Sequence, residues 1–163
     1  MATENLKSGA ITNRDATPPV PTTSNGGVLR RTWGVVEAAG GDAGSTYRIC
    51  QVPSNARGIM AHIATDDLGT GLTAHVGIYQ TTKNGGAAVD ADFFADSVDV
   101  ATAAVALTNV TFERAATRIA DFEKPLWEQL GLSADPGRDY DVVVTSVTAA
   151  ATGTILGIVD YVV

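Results

Sequence analysis

Cysteine is nearly absent from this chain, and that absence sets the first limits. Its 163 residues hold one cysteine, Cys50. That excludes an internal disulfide framework and a cysteine-built zinc site. With Ile49 and Val52 beside it, Cys50 reads as a small buried hydrophobe rather than a reactive thiol. Aromatics are scarce at 6%, so the core is expected to rest on Val, Ile, Leu and Ala. Long apolar runs are missing too. A stretch such as 102–107 is far too short to cross a bilayer. Residues 1–8 carry Glu4 and no apolar segment of the secretory kind. Basic charge is thin: 11 Lys and Arg against 18 Asp and Glu, a formal charge of −7, with a pI near 4.6. Nucleic-acid binding asks for a basic patch that displaces counterions. The single basic pair, Arg30–Arg31, is too small for one. The expectation is an acidic, water-facing surface whose partners are neither nucleic acid nor membrane.

What is present fits one packed domain with a tail to spare: hydrophobic residues make up 45%, an ordinary share. Residues 1–27 read differently from the rest. They hold Pro18, Pro19 and Pro21, a polar run at 22–25, and then Gly26–Gly27. Leu6, Ile11 and Val20 are scattered at no helical or strand period, so this stretch cannot bury a face of its own. The prolines favour an extended path and the glycines a flexible joint. The reading is an extended N-terminal arm over 1–27 that orders on a partner, with Leu6, Ile11, Arg14, Pro18, Pro19, Val20 and Pro21 as its contacts.

From residue 28 onward, short apolar segments alternate with turn signals. Residues 28–37 place Leu29, Trp33 and Val35 on one side, expected to face the core. Residues 47–52 form a strand stopped by Pro53. In 57–65, Ile59, Ala61 and Ile63 fall together. In 72–80, Leu72, Ala74, Val76 and Ile78 share a face and Thr73, His75 and Tyr79 take the other, the pattern of a half-buried strand. Residues 90–107 are expected to be an irregular excursion with at most a short helix. Val110 and Phe112 mark a strand, and 118–122 suggests another. Pro125 and Gly131 bracket a helical turn at its first position and just past its end, with Leu126, Trp127 and Leu130 as a plug for one end of the core. Residues 141–148 and 154–163 suggest a C-terminal hairpin, with Ile155, Val159, Tyr161 and Val163 on one face. The fold class is therefore all-β: an antiparallel β-sandwich or jelly roll of roughly eight strands over 28–163, with one or two short helical turns. Long amphipathic helices, which a parallel sheet needs between its strands, are absent.

The chemical inventory is thin. The sequence has no nucleophile elbow, phosphate loop or zinc helix. His62 and His75 sit opposite the apolar face of their strands, so they read as exposed or interfacial. A metal site from them requires the two strands to pair directly. Asp90, Asp92, Asp96 and Asp99 form the densest acidic cluster. They lack the glycine and terminal Glu of an EF-hand loop, and read as a solvated acidic loop. No pair of carboxylates stands out for glycosidase chemistry. No catalytic residue, metal or cofactor is assigned, and the chain is read as not an enzyme.

Four stretches carry a resemblance: the polar arm ending in Ser24-Asn25-Gly26-Gly27, residues 76–81 (VGIYQT), residues 92–99 (DFFADSVD) and residues 127–137 (WEQLGLSADPG). In these the chain resembles the small jelly-roll decoration, or cement, proteins of tailed-bacteriophage capsids. The resemblance implies a virion structural protein on the capsid surface, assembled in the host cytoplasm. Its implied partners are the major capsid protein and further copies of itself, as a dimer or trimer. It implies an arm that bridges neighbouring shell subunits, and no catalytic residue. Two other functions compete. One is a different virion component, of the tail, head-completion or fibre-associated kind. The other is a carbohydrate-binding or carbohydrate-cleaving β-sandwich using Trp33, Trp127 and Tyr79 as platforms, weakened because both tryptophans read as core.

Overall fold

The computed structural model describes residues 6–8, 11–12, 15–18, 27–101, 104–113 and 118–163. Eight strands make two antiparallel sheets: β1 (Leu29–Gly41), β2 (Thr46–Pro53), β3 (Arg57–Thr65), β4 (Thr73–Gln80), β5 (Ala88–Asp99), β6 (Val105–Asn109), β7 (Asp139–Ser146) and β8 (Ala151–Val162). Two one-turn helices, α1 (Arg118–Asp121) and α2 (Leu126–Gln129), lie between β6 and β7. The first sheet runs β1-β8-β3-β6 and the second β2-β7-β4-β5. The pairs nest: first strand with last, second with seventh, third with sixth, fourth with fifth. Successive pairs fall alternately into the two sheets. The all-β sandwich expected from the alternating pattern is what the chain forms.

Alternation decides which residues meet between the sheets. On β3, Ile59, Ala61 and Ile63 are buried while Met60, His62 and Ala64 between them are only partly so. On β4, Ala74, Val76 and Ile78 point the same way. They meet Ile155 and Val159 of β8 and Val142 and Val144 of β7 in one core. Leu126 closes one end of it, fully buried, with Leu130 packed against it. The α2 turn is fastened there because Leu126 N–H donates to the Ala56 carbonyl at 2.8 Å and Trp127 N–H to that of Ser54 at 2.9 Å. Trp127 itself stays half-buried. Pro125 immediately precedes the helix, and Gly131 follows it at φ 74°.

The sheets approach closely over a glycine pair. Gly34 of β1 and Gly157 of β8 are direct cross-strand partners, and Ile49 of β2 sits on both. A Cβ at Gly34 would lie 2.0 Å from the Ile49 carbonyl oxygen, and one at Gly157 2.7 Å from its Cγ2. Gly34 does not occupy the left-handed region; it is glycine because a side chain has no room.

Several sequence expectations fail, each for a physical reason. Residues 88–99 and 105–109 are strands, with the acidic cluster on β5. Its pairing with β4 breaks register at three places, which scrambles the period-2 signal. Residues 118–121 are helical, and 111–113 are a turn beyond β6. The last two strands are not a hairpin: β7 and β8 belong to different sheets. His62 on β3 and His75 on β4 are likewise in different sheets, so their strands do not pair. In the arm, the described residues include one helical turn, with Thr12 N–H bonded to the Ser8 carbonyl and Asp15 N–H to that of Ile11.

Candidate docking surface

The two sheets treat their outer faces differently. The second is sealed. Gly77 of β4 faces outward beneath the β5 backbone, where a Cβ would lie 2.2 Å from the Ala91 carbonyl. Its β7 partner Val143 is completely buried, and Tyr79 and Asp141 on the same face are nearly so. Arg48 reaches over this face. It donates to the Asp141 carboxylate and to the carbonyls of Gln80 and Gly86. It thereby ties β2 to β7 and to the turn after β4, and gives a buried carboxylate its ion-pair partner.

The first sheet has no such cover among the described residues. Leu29, Trp33 and Val35 do share one side of β1, as their spacing predicts. That side is the outer one: they are 70%, 66% and 61% exposed. The inner side of β1 is Thr32, Gly34, Val36 and Ala38, small because of the close approach at Gly34. The register with β8 places Trp33 against Ile158 and Val35 against Leu156. Ile158 and Leu156 in turn face His62 and Ala64 of β3. Leu107, 56% exposed, continues the stripe on β6, two residues from Asn109, the partner of His62.

Three interstrand steps of about 4.8 Å by six residue steps of about 3.4 Å give a footprint of roughly 300 Å². Its apolar rows are Trp33–Ile158 and Val35–Leu156–Ala64 with Leu107 beyond, and the Arg31–Asp160 pair crosses it between Leu29 and Trp33; exposed apolar clusters on soluble domains are often functional. Polar groups cross and bound it. Arg31 grips Asp160 across the β1–β8 pair with two parallel bonds, Nε–Oδ1 2.7 Å and Nη2–Oδ2 2.8 Å. The Arg31 guanidinium holds the Asp160 carboxyl below the usual carboxylate range. Thr154 donates to Glu37 at 2.8 Å at the other end. Arg31 and Asp160 compensate each other within the face, while Glu37 at its end is bonded by the neutral Thr154 hydroxyl.

Of the arm contacts expected from the sequence, Leu6 and Pro18 are exposed, and Ile11 is 37% exposed. Arg14, Pro19, Val20 and Pro21 lie outside the described residues. Gly27, the last residue of the stretch read as an arm, lies beside Val163 and at the Leu29 end of the outer face. That residue therefore adjoins the apolar stripe. The sequence reading missed Leu107, Leu156 and Ile158. The signal was present in β8, where Ile155, Leu156, Ile158 and Val159 make the strand apolar on both faces.

Nucleophiles and ligands are poorly provided elsewhere. Cys50 is only partly buried, packed against the core rather than within it; burial pushes its thiol up to about 12, so it stays protonated at neutral pH. Ser54 Oγ donates to Asp135 and accepts from Arg138 N–H, which fastens the turn before β7. His75 Nδ1 accepts from Ser97 N–H at 3.1 Å. Among the described residues no three His, Cys, Asp or Glu side chains gather as a metal site. No helix among them is long and apolar enough to cross a membrane.

No protein-family model matches the chain, and no curated protein matches it by sequence. Solved structures do match. A chain of the structure described as the capsid of Ralstonia phage GP4 is 24% identical, covers 88% of each chain and superposes with a TM-score of 0.56. A chain of the cyanophage Pam1 capsid asymmetric unit is 16% identical over 85% of this chain and 87% of that one, with a TM-score of 0.48. The first of these likenesses shows a shared fold along nearly the whole of both chains.

Proposed function

We propose that this chain is a structural component of a phage particle, one that binds the outer surface of an assembled capsid and stabilises it by bridging neighbouring shell subunits. The observation that carries this reading is the uncovered apolar face of the first sheet, set beside the root of the arm. A footprint of roughly 300 Å² falls short of the about 800 Å² per partner of a standard stable interface. More contact is needed, and on this reading the arm gives it. The arm loses conformational freedom on docking. Many identical weak sites on one shell offset that through effective concentration. The nested strand pairing supports reading the sandwich as a jelly roll. The fold likeness to a chain from the Ralstonia phage GP4 capsid is consistent with the virion setting.

Removing residues 1–27 tests the arm. Occupancy on shells purified without this protein is expected to fall about tenfold or more, measured by co-sedimentation at matched protein concentration. Unchanged occupancy would remove the arm from the mechanism.

One observation favours a second reading. Trp33 lies open on the outer face of the first sheet, one step along the register from Asp160, as an aromatic platform for a sugar would. Its immediate neighbours Val35 and Ile158 are aliphatic, and Asp160 is already committed to Arg31, which favours a protein partner. Saturable binding on a glycan array, lost when Trp33 is replaced, would reverse that preference.

A further inference from the structure

A sandwich of two open sheets has four edges, and three of these are blunted. β6 is only five residues long. β2 bulges between Arg48 and Cys50 and ends at Pro53. β5 breaks register three times against β4. Short strands and bulges are how edges avoid pairing with other chains. Among the described residues the edge of β1 is neither short, bulged nor covered over residues 29–39, and carries only the charges of Arg30, Arg31 and Glu37. It pairs with β8 from Leu29 to Ala39 without a break, and it contains neither proline nor lysine.

The groups that β1 offers can be worked out. Val28 and Val163 exchange both backbone hydrogen bonds, at 3.0 and 3.3 Å. Bonded pairs recur at every second residue of an antiparallel ladder. The N–H and C=O groups of Arg30, Thr32, Gly34, Val36 and Ala38 therefore point to β8. Those of Leu29, Arg31, Trp33, Val35 and Glu37 point to the open edge. The same five residues carry the outer face.

We propose that β1 pairs with β1 of a second copy across a two-fold axis at Gly34, joining the two first sheets into one of eight strands. Charge complementarity selects both the occupant and the register. With the axis at Gly34, Arg31 faces Glu37 of the other copy, twice over by symmetry, and Trp33 faces Val35. Moving the axis to Trp33 sets Arg31 against Val35 and leaves Glu37 against Leu29. Moving it to Val35 sets Glu37 against Trp33 and Arg31 against Ala39. All three axes align the edge-facing N–H and C=O groups, and of these only the Gly34 axis matches both charges. Arg31 commits two of its five N–H donors to Asp160, leaving others for the second carboxylate. A contact of this kind suits a chain of net charge −7, whose copies otherwise repel. It also joins the Trp33 and Val35 rows of the two copies across one outer face of roughly 600 Å².

Sedimentation equilibrium of the isolated full chain tests this without any shell, so its failure is distinct from failure of the capsid reading. The wild type is expected at twice the monomer mass. Glu37→Arg sets like charges opposite each other twice and is expected to weaken the dimer about tenfold. Val35→Pro removes an edge-facing N–H, spares the β8 ladder and is expected to leave a monomer. Thermal melting confirms that each variant is folded; if Val35→Pro does not fold, Glu37→Arg decides. A wild type that stays monomeric at about 100 μM overturns the proposal. A folded Glu37→Arg that dimerises as tightly as the wild type overturns the register, and a folded Val35→Pro that still dimerises overturns the edge.

Discussion

Replacing Gly34 with alanine is expected to lower the melting temperature by about 10 °C. The added Cβ would lie 2.0 Å from the Ile49 carbonyl oxygen, well inside contact distance. The obstacle is backbone, which cannot turn aside as a flexible side chain does. Gly157 on the opposite strand is closed by the same Ile49, so shifting β1 sideways offers no escape. Overpacking a well-filled interior costs about 1–3 kcal/mol, and a backbone collision belongs at the top of that range. For a chain of this size each kcal/mol moves the midpoint by about 2–4 °C. Gly44→Ala is the control. Gly44 sits at φ 88° with nothing within 4 Å of a Cβ, so alanine there incurs only backbone strain of about 1 kcal/mol. A Gly34→Ala protein melting within a degree or two of wild type would show that the sheets are further apart than described.

Replacing Trp33 with aspartate is expected to act on the partner and not on the fold. Trp33 is 66% exposed on the outer face and lies across from Ile158. Changing it alters little of what holds the isolated chain together, and surface substitutions of that kind fall within about 0.5 kcal/mol. On the proposed reading the ring is the largest apolar anchor of the docking face. Interface tryptophans of this type are worth about 2 kcal/mol or more, which is about 30-fold in affinity. Shell binding should therefore fall by at least that factor while the melting curve stays nearly fixed. A loss of binding matched by an equal loss of stability would identify Trp33 as a structural residue.

The sequence made the architecture legible where one face of a strand is wet. The alternation in 57–65 and 72–80 placed Ile59, Ala61, Ile63, Ala74, Val76 and Ile78 in the core, where they are. Where both faces are covered, or register slips, the signal fades. The slips of β5 against β4 made 90–107 look irregular. The pairing of β7 with β2 and β4, rather than with β8, depends on contacts far apart in the chain, which no local pattern encodes. The face of the candidate site was half legible. The spacing of Leu29, Trp33 and Val35 put them on one side, and the direction was misread because apolar residues are expected inside. The corrective signal was Gly34 between them. A strand whose opposite side is Thr32, Gly34, Val36 and Ala38 has its small residues where a neighbour presses close and its large ones free. Exposed apolar residues in a row are the informative exception to burial, and they turn a fold with little chemistry into a candidate docking module.

Copy number per particle tests the central claim most directly. Quantitative mass spectrometry of purified particles, with the major shell subunit as internal reference, measures it without prior assumption about geometry. A protein that coats the shell and bridges its subunits must be present at a fixed ratio to them, repeated over the whole surface, and that is the expected result. One or a few copies per particle, or none, would contradict the account and assign the chain to a unique vertex, a tail or another setting.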